Sequence, residues 1–159
     1  MNVKDINYQT LNIELRNLIQ DETDALANLS NSAALLFHSM DNINWAGFYL
    51  FKDNQLILCP FQGKPACIRI AIGKGVCGTA AQRREAVIVK DVHQFEGHIA
   101  CDNASASEIV IPIIKYGKLI GVLDIGSPVI ERFTESDRQG LQAYADTLND
   151  CIDWGNLPV

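Results

Sequence analysis

Ile109-Val110-Ile111-Pro112-Ile113-Ile114-Lys115-Tyr116-Gly117-Lys118-Leu119-Ile120-Gly121-Val122-Leu123-Asp124-Ile125 reads as two apolar strands folded back on each other. Both arms are rich in β-branched residues, which pack well on a pleated surface. Lys115-Tyr116-Gly117-Lys118 is the turn, with a glycine where a positive φ is wanted. Pro112 cannot donate to a ladder, so a bulge or an edge is expected there. By strand alternation, Asp124 shares a face with Val122 and Gly126. A hairpin of this kind makes the sheet antiparallel.

The segments before it extend that sheet. Trp45 to Phe51 and Leu56 to Cys59 are apolar runs joined by Lys52-Asp53-Asn54-Gln55, a second hairpin. Ile68, Ile70 and Ile72 alternate with Arg69 and Ala71, a strand with one wetter face. Gly73-Lys74-Gly75-Val76-Cys77-Gly78-Thr79 is a glycine turn leading into a short helix through Ala80, Ala81 and Gln82. Ala86 to Val89 is a short strand.

Helices flank the sheet in the chain. Leu11, Leu15, Leu18 and Ile19 make an apolar stripe on a helix at about 6–20. Leu26, Leu29, Ala33, Leu36 and Met40 make another at about 23–40, after a break at Asp21-Glu22. Thr134-Glu135-Ser136-Asp137 is a capping box. It opens a last helix whose stripe is Leu141, Tyr144, Ala145, Leu148 and Ile152. The expected architecture is a single α+β domain over 1–159: helices at about 1–40, sheet and loops from 41 to 133, and a helix at 134–154. The helices pack on one face of the antiparallel sheet, leaving the other free for a pocket.

Composition bounds the function. A hydrophobic fraction of 48% with 20% charged residues is that of a folded domain. The net charge of −6 argues against a nucleic-acid partner, which needs a basic surface. No secretory signal and no membrane span can be read, so the expected location is the cytoplasm, where a disulfide is more often catalytic or redox-sensing than structural. An odd number of cysteines, five, also disfavours a fully paired framework.

The polar run Lys90 to Ser107 is the chemical focus. A long loop in a compact domain is usually functional, and this one holds His93, His98 and Cys101. Three uses of the cysteines compete. Cys67, Cys77, His93, His98 and Cys101 are metal-ligand types, but their spacings match no zinc signature, so no metal is expected. Cys59 and Cys151 sit in apolar or helical settings that suit an inert filler. Redox or nucleophilic use fits Cys77, where a helix begins, and Cys101, with His98 three residues earlier. Physical chemistry alone does not rank those two. Glu108 and Asp124 are carboxylates in apolar strands, facing solvent or held for a purpose.

Asn44-Trp45-Ala46-Gly47-Phe48-Tyr49, the glycine turn with Cys77, His98-Ile99-Ala100-Cys101-Asp102 and Leu119 to Ile125 together resemble the free methionine-(R)-sulfoxide reductases, single-domain enzymes of the GAF fold. Cys67, Cys77 and Cys101, each in a matching context, make the resemblance specific. It implies that Cys101 attacks the sulfoxide sulfur and becomes a sulfenic acid, that Cys67 resolves it as a disulfide, and that Cys77 is an auxiliary resolving thiol. It implies thioredoxin as reductant, free methionine sulfoxide as substrate, no cofactor, a homodimer and an antioxidant role. Glu108 and Asp124 would contact the substrate ammonium and help protonate the sulfoxide oxygen. Trp45 and Tyr49 would hold the S-methyl group. One position departs: the family pattern Asp-Ile-Asp reads Asp124-Ile125-Gly126 here, removing one pocket charge. The alternative reading is a non-catalytic GAF sensor of a small ligand or of redox state.

Overall fold

The computed structural model describes residues 6–97 and 105–157. Six strands form one sheet in the order β3-β2-β1-β6-β5-β4. They are β1 (Trp45–Lys52), β2 (Gln55–Gly63), β3 (Arg69–Ala71), β4 (Val87–Val89), β5 (Ser107–Lys115) and β6 (Lys118–Ser127), and every pairing is antiparallel. Both hairpins turn through left-handed residues, Asp53 and Asn54 in one (φ 53° and 62°) and Tyr116 and Gly117 in the other (φ 52° and 74°). Two positive φ values are the signature of the turn whose twist matches that of its strands. Pro112 pairs with Val122, beyond Val110 where β4 stops pairing with β5, and the register slips between Ile113 and Ile114. The expected edge and irregularity are therefore both present, and the missing N–H costs no ladder bond on that side.

Three helices cover one face: α1 (Tyr8–Ile19), α2 (Ala25–Ser39) and α4 (Glu135–Cys151). Each begins with a side-chain cap: Asn7 accepts from the Thr10 N–H, Asp24 from Ala27, and Thr134 with Asp137 completes the capping box. Between α1 and α2, the Asn28 amide donates to the Glu22 carbonyl at 2.9 Å and to the Ile19 carbonyl at 3.4 Å, satisfying acceptors that the helix end leaves open. Leu11, Leu15 and Ile19 point into the core with Leu29, Ala33, Leu36 and Met40, where they meet Phe48, Ile109, Ile111, Ile113, Leu123, Ile125, Leu141, Tyr144 and Leu148. Leu18 and Leu26 leave the expected stripes and are 43% and 42% exposed. The reason is angular: Ala25, not Leu26, is in phase with Leu29 and Ala33, and Leu18 lies about 100° round from Ile19.

The opposite face carries a second, smaller core. It contains Trp45, Tyr49, Leu56, Ile70, Val110 and Val122 together with Val76, Cys77, Ala80 and Ala81 of α3 (Gly75–Arg83). This helix starts earlier than the alanine run suggests, inside the glycine turn. The Lys90 to Ser107 run is not wholly irregular, since Val92–Gln94 form one turn of 3-10 helix with the Asp91 side chain as its cap. Among the described residues, no helix is long and apolar enough to cross a membrane.

Candidate active site

Strand register places the expected site residues in rows. Gly126 pairs with Trp45 on one side and Glu108 on the other. In the next row on the same face Asp124 pairs with Gly47 and Val110. Beyond it Val122 pairs with Tyr49 and Pro112. The two glycines carry no side chain, and Phe61 lies over Gly47 and Ser105 over Gly126 in their place. The resulting pocket is lined by Trp45, Tyr49, Cys77, Glu108, Asp124 and Gly126, all named from sequence, and is roofed by α3 and the segment around Ala66.

Its aromatic wall is larger than sequence reading gave. Trp45 stacks on Tyr49 at 6.0 Å and on Phe61 at 5.1 Å, with interplanar angles of 19° and 13°. Phe61 reaches this position because the β1–β2 register slips between Gly47 and Tyr49. A Cβ on Gly47 would collide with the Phe61 Cβ, so the stack depends on the bare backbone there. The Trp45 indole donates to the Lys64 carbonyl at 3.0 Å, and the Tyr49 hydroxyl donates to the Cys67 carbonyl at 2.9 Å. Both bonds hold the segment carrying Cys67 beside the pocket.

The thiols divide clearly. Cys67 is in a disulfide, whereas Cys59, Cys77 and Cys151 are free. Cys59 is half-buried against the helix-side core, and burial pushes its thiol up. Cys151, at the end of α4, lies 3.7 Å from Nη1 of Arg16. Cys77 is buried in the first turn of α3, as the helix start implied. A helix N-terminus favours a thiolate, yet this thiol is held well above its ordinary value of 9.0. Desolvation is the largest cause, followed by the charges of Asp124 and Glu108 and by the hydrogen bond that the thiol donates to Asp124. Cys77 is therefore a neutral hydrogen-bond donor at neutral pH.

Cys77 Sγ and carboxylate oxygens of Glu108 and Asp124 lie within 4.8 Å of one another, the one grouping among the described residues with the donor types and spacing for a metal ion. The hydrogen bond between thiol and carboxylate already accounts for their proximity. His98, Cys101, Asp102 and Asn103 lie outside the described residues. His93 is on the 3-10 turn, and its backbone N–H is capped by Asp91. Ser105 and Lys74 also line the pocket and were not foreseen.

A family model described as "GAF domain" matches residues 19–153. The chain belongs to the GAF domain family. Among relatives of this GAF protein, the free methionine-R-sulfoxide reductase of Escherichia coli is 54% identical over 145 residues, covering 91% of this chain and 88% of that one. Among solved structures, the fRMsr of Staphylococcus aureus in complex with substrate superposes with a TM-score of 0.90 at 51% identity, covering 94% of this chain and 98% of that one. The free methionine-R-sulfoxide reductase of Neisseria meningitidis in complex with its substrate superposes with a TM-score of 0.88 at 38% identity, covering 94% of this chain and 93% of that one.

Proposed function

We propose that this GAF domain reduces free L-methionine-(R)-sulfoxide to methionine with thiols as the electron source. The observation that carries the reading is a single hollow that joins two carboxylates to an aromatic stack, beside a disulfide-bonded Cys67, in a chain more than half identical to a named reductase.

Glu108 and Asp124 receive the substrate ammonium and supply a proton to the sulfoxide oxygen. Trp45 and Tyr49, backed by Phe61, hold the S-methyl group. A pocket that pairs both charged ends of a free amino acid rejects a peptide-bound residue, because buried polar groups left unpaired discriminate by roughly 10⁴–10⁵-fold.

Cys101 is the proposed nucleophile. Its sulfur takes the sulfoxide oxygen, methionine departs, and Cys101 becomes a sulfenic acid. The Cys67 thiol then displaces the hydroxyl as water and forms the disulfide. The disulfide-bonded state of Cys67 supports its role as resolving thiol. Cys77 is the auxiliary resolver and must first pass its proton to Asp124, so it answers more slowly than Cys67. Thioredoxin, itself oxidised from dithiol to disulfide, returns the pair to thiols. A cytoplasmic homodimer that needs no cofactor completes the reading, and size-exclusion chromatography tests the dimer.

The deciding experiment is turnover of the R-sulfoxide with dithiothreitol or thioredoxin, comparing the wild type with Cys101→Ser. Loss of turnover in the variant is expected. Equal rates would sink the assignment of Cys101, and a reversible disulfide with no turnover by the wild type would leave a redox sensor in its place.

A further inference from the structure

We propose that the surface around Ile68 is the docking site of the protein dithiol that reduces the Cys67 disulfide, and that this partner presents acidic residues beside its thiols. This rests on reading the chain as a thiol-dependent sulfoxide reductase.

Charge is unevenly spread along the chain. From Asn54 to Arg84 there is no aspartate or glutamate, while Lys64, Arg69, Lys74, Arg83 and Arg84 are all cationic. The whole chain has a net charge of −6, so this span runs against the trend. It covers β2, the Cys67 segment, β3 and α3. Lys64, Arg69 and Lys74 are exposed, and among the described residues none of the three lies in an ion pair. Cations left unpaired within the chain attract and orient an acidic partner.

Inside this cationic rim sits an apolar anchor. Ile68 follows Cys67 directly and is 66% exposed, the most exposed large aliphatic side chain among the described residues. Ile70, of the same parity, is buried in the pocket-side core, whereas Ile68 precedes β3 and stays in solvent. Its backbone is fixed on both sides. The Tyr49 hydroxyl donates to the Cys67 carbonyl at 2.9 Å, and the Leu58 N–H donates to the Ile68 carbonyl at 2.9 Å. An anchor already held in place costs a partner little ordering, and an apolar centre within a polar rim is how interfaces are built. The approach is open as well. β3 is the last strand of the sheet. Because Leu58 bonds Ile68 and an antiparallel ladder alternates, Arg69 turns its N–H and C=O away from β2, toward that edge. A partner can lie along β3 without displacing a strand.

The chemistry requires this contact. One partner thiolate attacks the disulfide, forms a mixed disulfide and expels the other sulfur as thiolate. The second partner thiol then closes the partner's own disulfide and releases the sulfur it held. Two electrons pass to this chain, and the two protons of the partner's thiols finish on its two thiols. A protein that reaches the Cys67 disulfide lays its surface on Ile68, the next residue.

The test is turnover of methionine-(R)-sulfoxide by the full chain, driven in parallel by thioredoxin and by dithiothreitol. Dithiothreitol needs no docking surface, so its rate reports folding and chemistry. Ile68→Ser is expected to raise the KM for thioredoxin about tenfold and to leave the dithiothreitol-driven rate within about twofold. The wild-type KM for thioredoxin should rise with salt, and Arg69→Glu should raise it about fivefold at low salt and flatten that dependence. A KM for thioredoxin that neither variant moves, a KM indifferent to salt in the wild type, or equal losses with both reductants would overturn the proposal. A change of mass on size exclusion in Ile68→Ser would assign the face to a second copy of the chain and overturn it too. Wild-type turnover with dithiothreitol but not with thioredoxin overturns it alone, whereas no turnover with either overturns the sulfoxide-reductase reading and this proposal with it.

Discussion

Tyr49 donates its phenolic hydrogen to the backbone carbonyl of Cys67, 2.9 Å away. The ring belongs to the pocket wall and the carbonyl to the segment that carries Cys67, the proposed resolving thiol. In the proposed mechanism this one hydrogen bond joins binding to resolution.

Tyr49→Phe keeps the ring and removes that bond. The expected outcome is a first turnover within about twofold of wild type and a steady-state rate about fivefold lower, the worth of one neutral hydrogen bond. A rapid-quench measurement of methionine formed per enzyme separates the phases. Equal slowing of both would show that the hydroxyl serves binding, not Cys67.

Cys77 should resist alkylation in the native protein at neutral pH, since it is buried and neutral. Asp124→Asn removes one of the charges that raise its thiol and leaves a neutral carboxamide where the carboxylate acceptor was. The variant should be alkylated faster, because the thiol falls toward its ordinary value and the thiolate fraction rises. Peptide mass spectrometry after timed iodoacetamide treatment measures it, and an unchanged rate would mean that access alone protects the thiol.

Alkaline pH should destabilise the fold. Burial raises both Cys77 and Tyr144 above their ordinary values of 9.0 and 10.0. Above those values the unfolded chain releases protons that the folded chain keeps, so stability falls as pH rises, by about 1.4 kcal/mol per pH unit for each group. Urea titrations at about pH 8 and about pH 10.5 test this. Tyr144→Phe should flatten the slope above 10, at a cost of about 1 kcal/mol at neutral pH for the lost bond to the Ser32 carbonyl. A slope that is unaltered in that variant would contradict the assignment.

Gly140→Ala should destabilise by about 1–3 kcal/mol, although alanine is the better helix former by up to about 1 kcal/mol. The added Cβ would enter the Tyr8 ring, which lies directly on Gly140 while its hydroxyl donates to Asp137 at 2.6 Å. With Tyr8→Ala as background, the same substitution should turn stabilising. Thermal or urea unfolding of the four proteins gives the sign, and a penalty that survives the loss of the ring would rule out this contact as its cause.

The face of the sheet on which Asp124 sits was legible because strand parity is local: once Leu123 and Ile125 point to the core, their neighbour points away. That Cys77 lies in the first turn of α3 was legible from the glycine turn and the alanines that follow it. The charge state of Cys77 was not, because Asp124 and Glu108 approach it only after distant strands pair. Phe61 and Ser105 were missed on similar grounds. One enters through a register slip opposite Gly47 and the other through the gap at Gly126, and neither event leaves a mark on its own neighbours in the chain. The exposure of Leu18 and Leu26 turned on about 100° of helical phase, which a short stripe leaves open.

The six-stranded sheet also works as a partition. On one side, three capped helices and the larger core hold the chain together. On the other, among the described residues, one short α-helix without a side-chain cap lies over the pocket. Local opening draws on the region with the fewest buried apolar contacts. Amides of α3 and of the Ala66–Cys67 segment should therefore exchange with solvent long before those of Leu15, Leu36 or Leu148. The thiol relay of the proposed mechanism would then draw on breathing of the pocket side while the helical side stays shut.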